Sequence, residues 1–159
     1  MNGLERLGTR PGTRPATPTN PHLQLDQTPP HLHEEFFWRA LALAGVHAGP
    51  SGISVPGAWA FHLDPRLAKC LPQAFMLRPE FAHLHPPHDG SFQKPAPAVT
   101  AHGWGELRPV VRMGLLSPIA LMVYGPRDRS ELETVWLILR TSYAFARGTS
   151  TEARPSSIM

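Results

Sequence analysis

Nineteen of the 159 residues are proline, far above the usual ~5%, and nothing else in the chain limits its fold so strongly. Proline fixes φ and lacks a backbone N–H, so it ends helices and stays out of sheet interiors. Six prolines (Pro11, Pro15, Pro18, Pro21, Pro29 and Pro30) fall in the first thirty residues, beside the repeat Gly8-Thr9-Arg10-Pro11, Gly12-Thr13-Arg14-Pro15. Such a stretch cannot bury enough apolar surface to form a core. Residues 1–30 therefore read as an extended or disordered Pro-rich segment, 31–148 as one folded domain, and 149–159 as a disordered tail. Apolar residues make up 42% of the chain, which suffices for one core.

Two helices frame the domain. The first is predicted from about Pro30 to Ala44, capped by Thr28, with Phe37, Leu41 and Ala44 on one face and Phe36, Ala40 and Leu43 beside it. The last is predicted from a capping box at Ser130 and Glu133. Leu132, Val135, Trp136, Leu139, Tyr143 and Ala146 recur there at helical spacing, and Gly148 closes it. Between them lie short strand patterns: Ile53–Val55, Ala58–Leu63, Ala74–Leu77, Glu80–His85, a returning Ser91–Gln93 and Ile119–Tyr124. Trp59, Phe61 and Leu63 alternate with Ala58, Ala60 and His62. The predicted class is α+β, a small, largely antiparallel sheet with an N-terminal and a C-terminal helix packed on it.

Charge and hydropathy exclude some functions. A formal charge of +3 without a basic run gives no nucleic-acid footprint. No stretch of about 18 apolar residues exists, so no membrane span is expected. Cys70 is the single cysteine; it fits a reducing compartment and carries no catalytic pattern. A soluble, cytoplasmic protein is the expectation.

Chemistry concentrates in Glu80-Phe81-Ala82-His83-Leu84-His85-Pro86-Pro87-His88-Asp89-Gly90-Ser91. If Glu80–His85 is a strand, Phe81, His83 and His85 share one face, with the two imidazoles about 7 Å apart. A turn at Pro86-Pro87 folds His88 and Asp89 back towards them. Three readings stay open. A neutral imidazole can act as general base, oriented by a carboxylate such as Asp89. His83, His85 and Asp89 match a two-His, one-carboxylate iron set, and His83, His85 and His88 would suit zinc. The third is structural: histidines that cap turns, followed by the ordinary turn pair Asp89-Gly90.

Elsewhere the bland reading is stronger. Gly103-Trp104-Gly105-Glu106 reads as a tight bend seating a core tryptophan with its indole N–H satisfied. Arg127 reads as a surface cation paired with Asp128. His22, His31 and His33 read as solvated, and His47 and His62 as isolated.

Together the series from Glu80 to Ser91, Gly103-Trp104-Gly105-Glu106, and Val123-Tyr124-Gly125-Pro126-Arg127-Asp128 before an acidic helix and Ser142-Tyr143 resembles the luciferase-like domain family, which includes the fungal luciferase. The resemblance covers roughly residues 20 to 147 and is strongest from Phe75 onward. It implies a small aromatic or enolic ligand and, in a catalytic member, an oxidoreductase using molecular oxygen with no added cofactor or metal. His83, His85, His88 and Asp89 fall on the shared histidine motif and would deprotonate or orient the enol. Trp104 and Glu106 match the second motif; with Glu80, Gln93 and Arg108 they are the expected substrate-binding set. The chain departs from the family at Gln93 and Arg108, each standing where the family has histidine, and at Lys94-Pro95-Ala96-Pro97, which replaces an apolar helix-forming segment. Neither Gln nor Arg can exchange a proton at neutral pH.

Overall fold

The computed structural model describes residues 8, 28–54, 56–69, 74–75, 79–86, 92–95, 103–107 and 120–149. In chain order these form α1 (Pro30–Leu41), β1 (Val46–Pro50), β2 (Trp59–Leu63), β3 (Glu80–Leu84), β4 (Phe92–Pro95), β5 (Gly105–Leu107), β6 (Ala120–Val123) and α2 (Arg129–Ala146). The strands make one antiparallel sheet in the order β1-β2-β3-β4-β6-β5. The fold is the expected α+β arrangement. Among the described residues, no helix is long and apolar enough to cross a membrane.

Both helices bury their apolar stripes against one face of the sheet. Leu32, Phe36 and Ala40 come from α1, and Leu132, Val135, Ile138, Leu139, Tyr143 and Ala146 from α2. They meet Phe61, Leu63, Phe81, Ala82, Leu84 and Val123 in a single core. Each fully buried large side chain there contributes roughly 1.5–3 kcal/mol. The helices are also tied at their surface. Arg39 binds Glu35 (2.6 Å) and Glu133 (2.8 Å), and Arg129 binds Glu35 (3.0 Å). The Tyr143 hydroxyl donates to the Ala44 carbonyl (2.7 Å), holding the end of α2 against the chain leaving α1.

Several local details differ from the sequence expectations. Pro29, not Thr28, occupies the cap of α1 and makes no side-chain cap bond; Thr28 is buried. The helix stops at Leu41, and its buried stripe is Leu32, Phe36 and Ala40, with Phe37 and Leu41 at its margin. Asp128 caps α2 by accepting from the Glu131 N–H at 2.9 Å, so the Asp128–Glu131 pair replaces the expected Ser130–Glu133 box. Glu131 in turn receives Arg127, through the backbone N–H (2.9 Å) and the guanidinium, which corrects the expected Arg127–Asp128 pair. Capping consumes the Asp128 carboxylate, and Glu131 lies one helical turn from Arg127. Trp136 is half-buried and packs edge-on against Phe36, at 6.3 Å between ring centres.

Ile53 and Ser54 lie in a bend rather than a strand, and Ala74-Phe75 is buried without strand pairing. One edge of the sheet is instead β1, whose Gly49-Pro50 end reads as loop; proline is tolerated there because an edge leaves donors unpaired. Val55, Cys70, Met76 and Leu77, residues 1–7 and 9–27 of the expected N-terminal segment, and 150–159 of the expected tail lie outside the described residues.

Candidate functional site

The histidine-bearing strand contains a β-bulge. Along β2 and β3, Phe61 pairs with Ala82, but His62 pairs with Glu80, leaving Phe81 as the extra residue. A bulge sets two residues against one and shifts the alternation by a position. Phe81 consequently joins Ala82 on the helix side, 6.5 Å from Phe61 and 6.0 Å from Tyr143 between ring centres. Glu80 and His83, three apart in sequence, come to share the opposite side. This corrects the expectation that Phe81, His83 and His85 share a face: only the two histidines do.

On that side His83 Nδ1 lies 2.7 Å from Glu80 Oε1. The Ser51 hydroxyl donates to the same oxygen at 2.9 Å. The rings of His83 and His85 stack, 5.5 Å apart and inclined by 13°. Glu80, His83 and His85 are all buried, at 1%, 0% and 1% exposure. At that depth a lone carboxylate would be costly, so its two hydrogen bonds are what allow it to remain there. A carboxylate accepting from Nδ1–H fixes the imidazole tautomer and makes Nε2 the basic nitrogen of the neutral ring. Among the described residues the carboxylate beside His83 is Glu80; Asp89, expected to orient the imidazole, lies outside them.

The sheet register lines up further candidates. One row of paired Cα positions runs Gly49, Ala60, His83, Gln93, Met122, Glu106, crossing every strand. Gln93 is thus directly opposite His83, and Glu106 is two strands further on. The neighbouring row runs His47, His62, Glu80. His47 and His62 are therefore cross-strand partners rather than isolated residues. His33 is half-buried, not fully solvated: its Nε2–H donates to the His85 carbonyl at 2.8 Å, tying α1 to the end of β3.

Trp104 is buried, and its indole N–H donates to the Gly8 carbonyl at 2.6 Å. The flanking glycines are required by the backbone. Gly103 has φ of 74°, in the left-handed region. A Cβ on Gly105 would collide with the Met122 carbonyl oxygen across the β5–β6 pair. Trp104 thereby anchors the start of β5 from within the core cluster. His88, Asp89 and Arg108 lie outside the described residues, and with them the iron and zinc sets drawn from this segment. Among the described residues, no group of three or more His, Cys, Asp or Glu side chains is arranged to hold a metal ion.

Missing from the sequence reading was the pairing of Glu80 with His83. The signal for it was present: Phe81-Ala82 is an apolar doublet inside an alternating strand, the pattern that a bulge produces.

These features define a small α+β domain with a carboxylate–imidazole pair buried on the sheet face away from its helices. Residues 78–142, from just before β3 into α2, match the family model of the Luciferase domain. Over these residues the chain is similar to the Luciferase domain, the stretch that also carries the motif resemblance. No curated protein and no solved structure gives a significant match.

Proposed function

We propose that the luciferase-like domain binds a small aromatic or enolic molecule against the stacked His83–His85 pair, with His83 as general base. The observation that carries this reading is the Glu80–His83 hydrogen bond at 2.7 Å inside a buried site. Glu80 holds the Nδ1 proton and stabilises the imidazolium that forms when Nε2 accepts a proton from an enol or phenol. Loss of that proton makes the substrate an electron-rich enolate, the form that reacts most readily with molecular oxygen. His85, parallel to His83, supplies a flat surface for an aromatic substrate ring. Both rings are buried, so entry of the substrate requires the site to open. The chemistry asks for no bound cofactor.

The test is oxygen uptake by purified protein with enolic pyrones and catechol-like phenols. Turnover that falls at least about a hundredfold in His83→Ala, the usual scale of a lost general base, supports the assignment, provided the variant keeps its fold and still binds substrate. Equal turnover in wild type and His83→Ala contradicts it.

A further inference from the structure

A second site lies on the surface between α1 and β2. A hollow of about 250 Å³ is lined by His33, Glu34, Phe37, Trp38 and Trp59. Its aromatic walls are mutually inclined: Phe37 and Trp38 are 5.4 Å apart at 75°, and Phe37 and Trp59 are 5.9 Å apart at 58°. Trp38 and Trp59 are 59% and 47% exposed, the large apolar side chains that this surface leaves in water. An isolated exposed tryptophan needs no explanation, but two from different elements facing one hollow mark a binding surface. Glu34 stands at its rim, exposed and with no cation paired to it among the described residues. Arg39, the nearest guanidinium on the helix, is engaged by Glu35 and Glu133 and lies over the Trp136 ring.

We propose that this hollow binds an organic ammonium cation, specifically a methylated or quaternary one. Aromatic faces carry negative charge density, so inclined rings around a pocket attract a cation. The Glu34 carboxylate adds to that field and repels anions. A primary ammonium presents three N–H donors and a strong hydration shell, for which the hollow offers one carboxylate. A methylated ammonium sheds its hydration at lower cost and buries its methyl groups against the rings. A neutral aromatic ligand gains stacking alone and makes no use of Glu34. The proposal is independent of proton transfer at His83.

The test is tryptophan fluorescence of the full chain titrated with choline and with its neutral carbon isostere, 3,3-dimethylbutan-1-ol. Saturable binding of choline is expected, about two- to fivefold tighter than the isostere, the scale of a cation–π contact at an exposed site. Trp38→Ala, at an exposed helix position, abolishes binding, and Glu34→Gln weakens it several-fold; circular dichroism checks that both variants fold. Equal affinity for choline and the isostere overturns the proposal, as does absence of saturation by choline. Unchanged choline binding in folded Trp38→Ala also overturns it.

Discussion

Glu80 and His83 are hydrogen-bonded to each other although they stand three residues apart on one strand, because the bulge at Phe81 brings both to the same side. A regular strand would put them on opposite faces. The bulge thus couples packing to chemistry: the side chain that fills the helix-side core also sets the alternation that pairs the carboxylate with the imidazole.

Phe81→Ala tests the packing half of that coupling. Phe81 is fully buried between Phe61 and Tyr143. Its truncation is expected to cost about 3–5 kcal/mol in denaturant unfolding. A cost below about 1 kcal/mol would show that the ring is not part of the core.

Glu80→Gln tests the polar half. Gln keeps the size of the side chain, but an amide holds the Ser51 and His83 hydrogen bonds less strongly than a carboxylate. Stability is expected to fall by about 1–3 kcal/mol, the range for a compromised buried polar group. Unfolding curves that superimpose on wild type would mean that the charge is irrelevant to the site.

Acid weakens the clasp between the helices. Hydrogen bonds from Arg129 and then Arg39 hold the Glu35 carboxyl below its usual 4.5, and Arg39 does the same for Glu133. In the turn after β2, the Arg66 guanidinium lowers Asp64 from 3.8 to about 2. The unfolded chain takes up these protons first, so the stability they add is complete above their ordinary values and drains away as pH falls below them. Thermal melts of the Glu35→Gln/Glu133→Gln double variant should therefore lose least, relative to wild type, at the acid end. A constant deficit from neutral pH down through pH 3 would contradict the linkage.

Gly105→Ala should fail for backbone reasons. The added Cβ meets the Met122 carbonyl oxygen and the Val123 Cα in the paired strand. Backbone atoms of a paired strand cannot turn aside as a side-chain tip can, so the β5–β6 pairing has to separate. Proteolysis should cut this variant near residue 105 at concentrations that leave wild type intact. Equal resistance would show that the strands tolerate a wider spacing.

Much of this architecture was legible in the residues. The α2 stripe through Leu132, Val135, Leu139 and Tyr143 repeats often enough to fix a helix, and Phe92-Gln93 returns beside β3 as its hairpin position suggests. The cap of α2 was misplaced by two residues because Asp128-x-x-Glu131 and Ser130-x-x-Glu133 both satisfy the same short pattern. Strands β1 and β5 were hidden by Gly49-Pro50 and by Gly103-Trp104-Gly105, residues whose local preference is for turns. At the candidate site, the common face of His83 and His85 followed from strand alternation, while their stacking at 5.5 Å did not. The Glu80–His83 pair did not, because one extra residue reverses alternation and only cross-strand pairing reveals where it sits.

Heteronuclear NMR of the His83 ring at neutral pH tests the central claim most directly. A neutral imidazole carrying its proton on Nδ1, and losing that preference in Glu80→Gln, is the result expected if Glu80 prepares His83 as a base. A ring protonated on both nitrogens, or carrying its proton on Nε2, would contradict it.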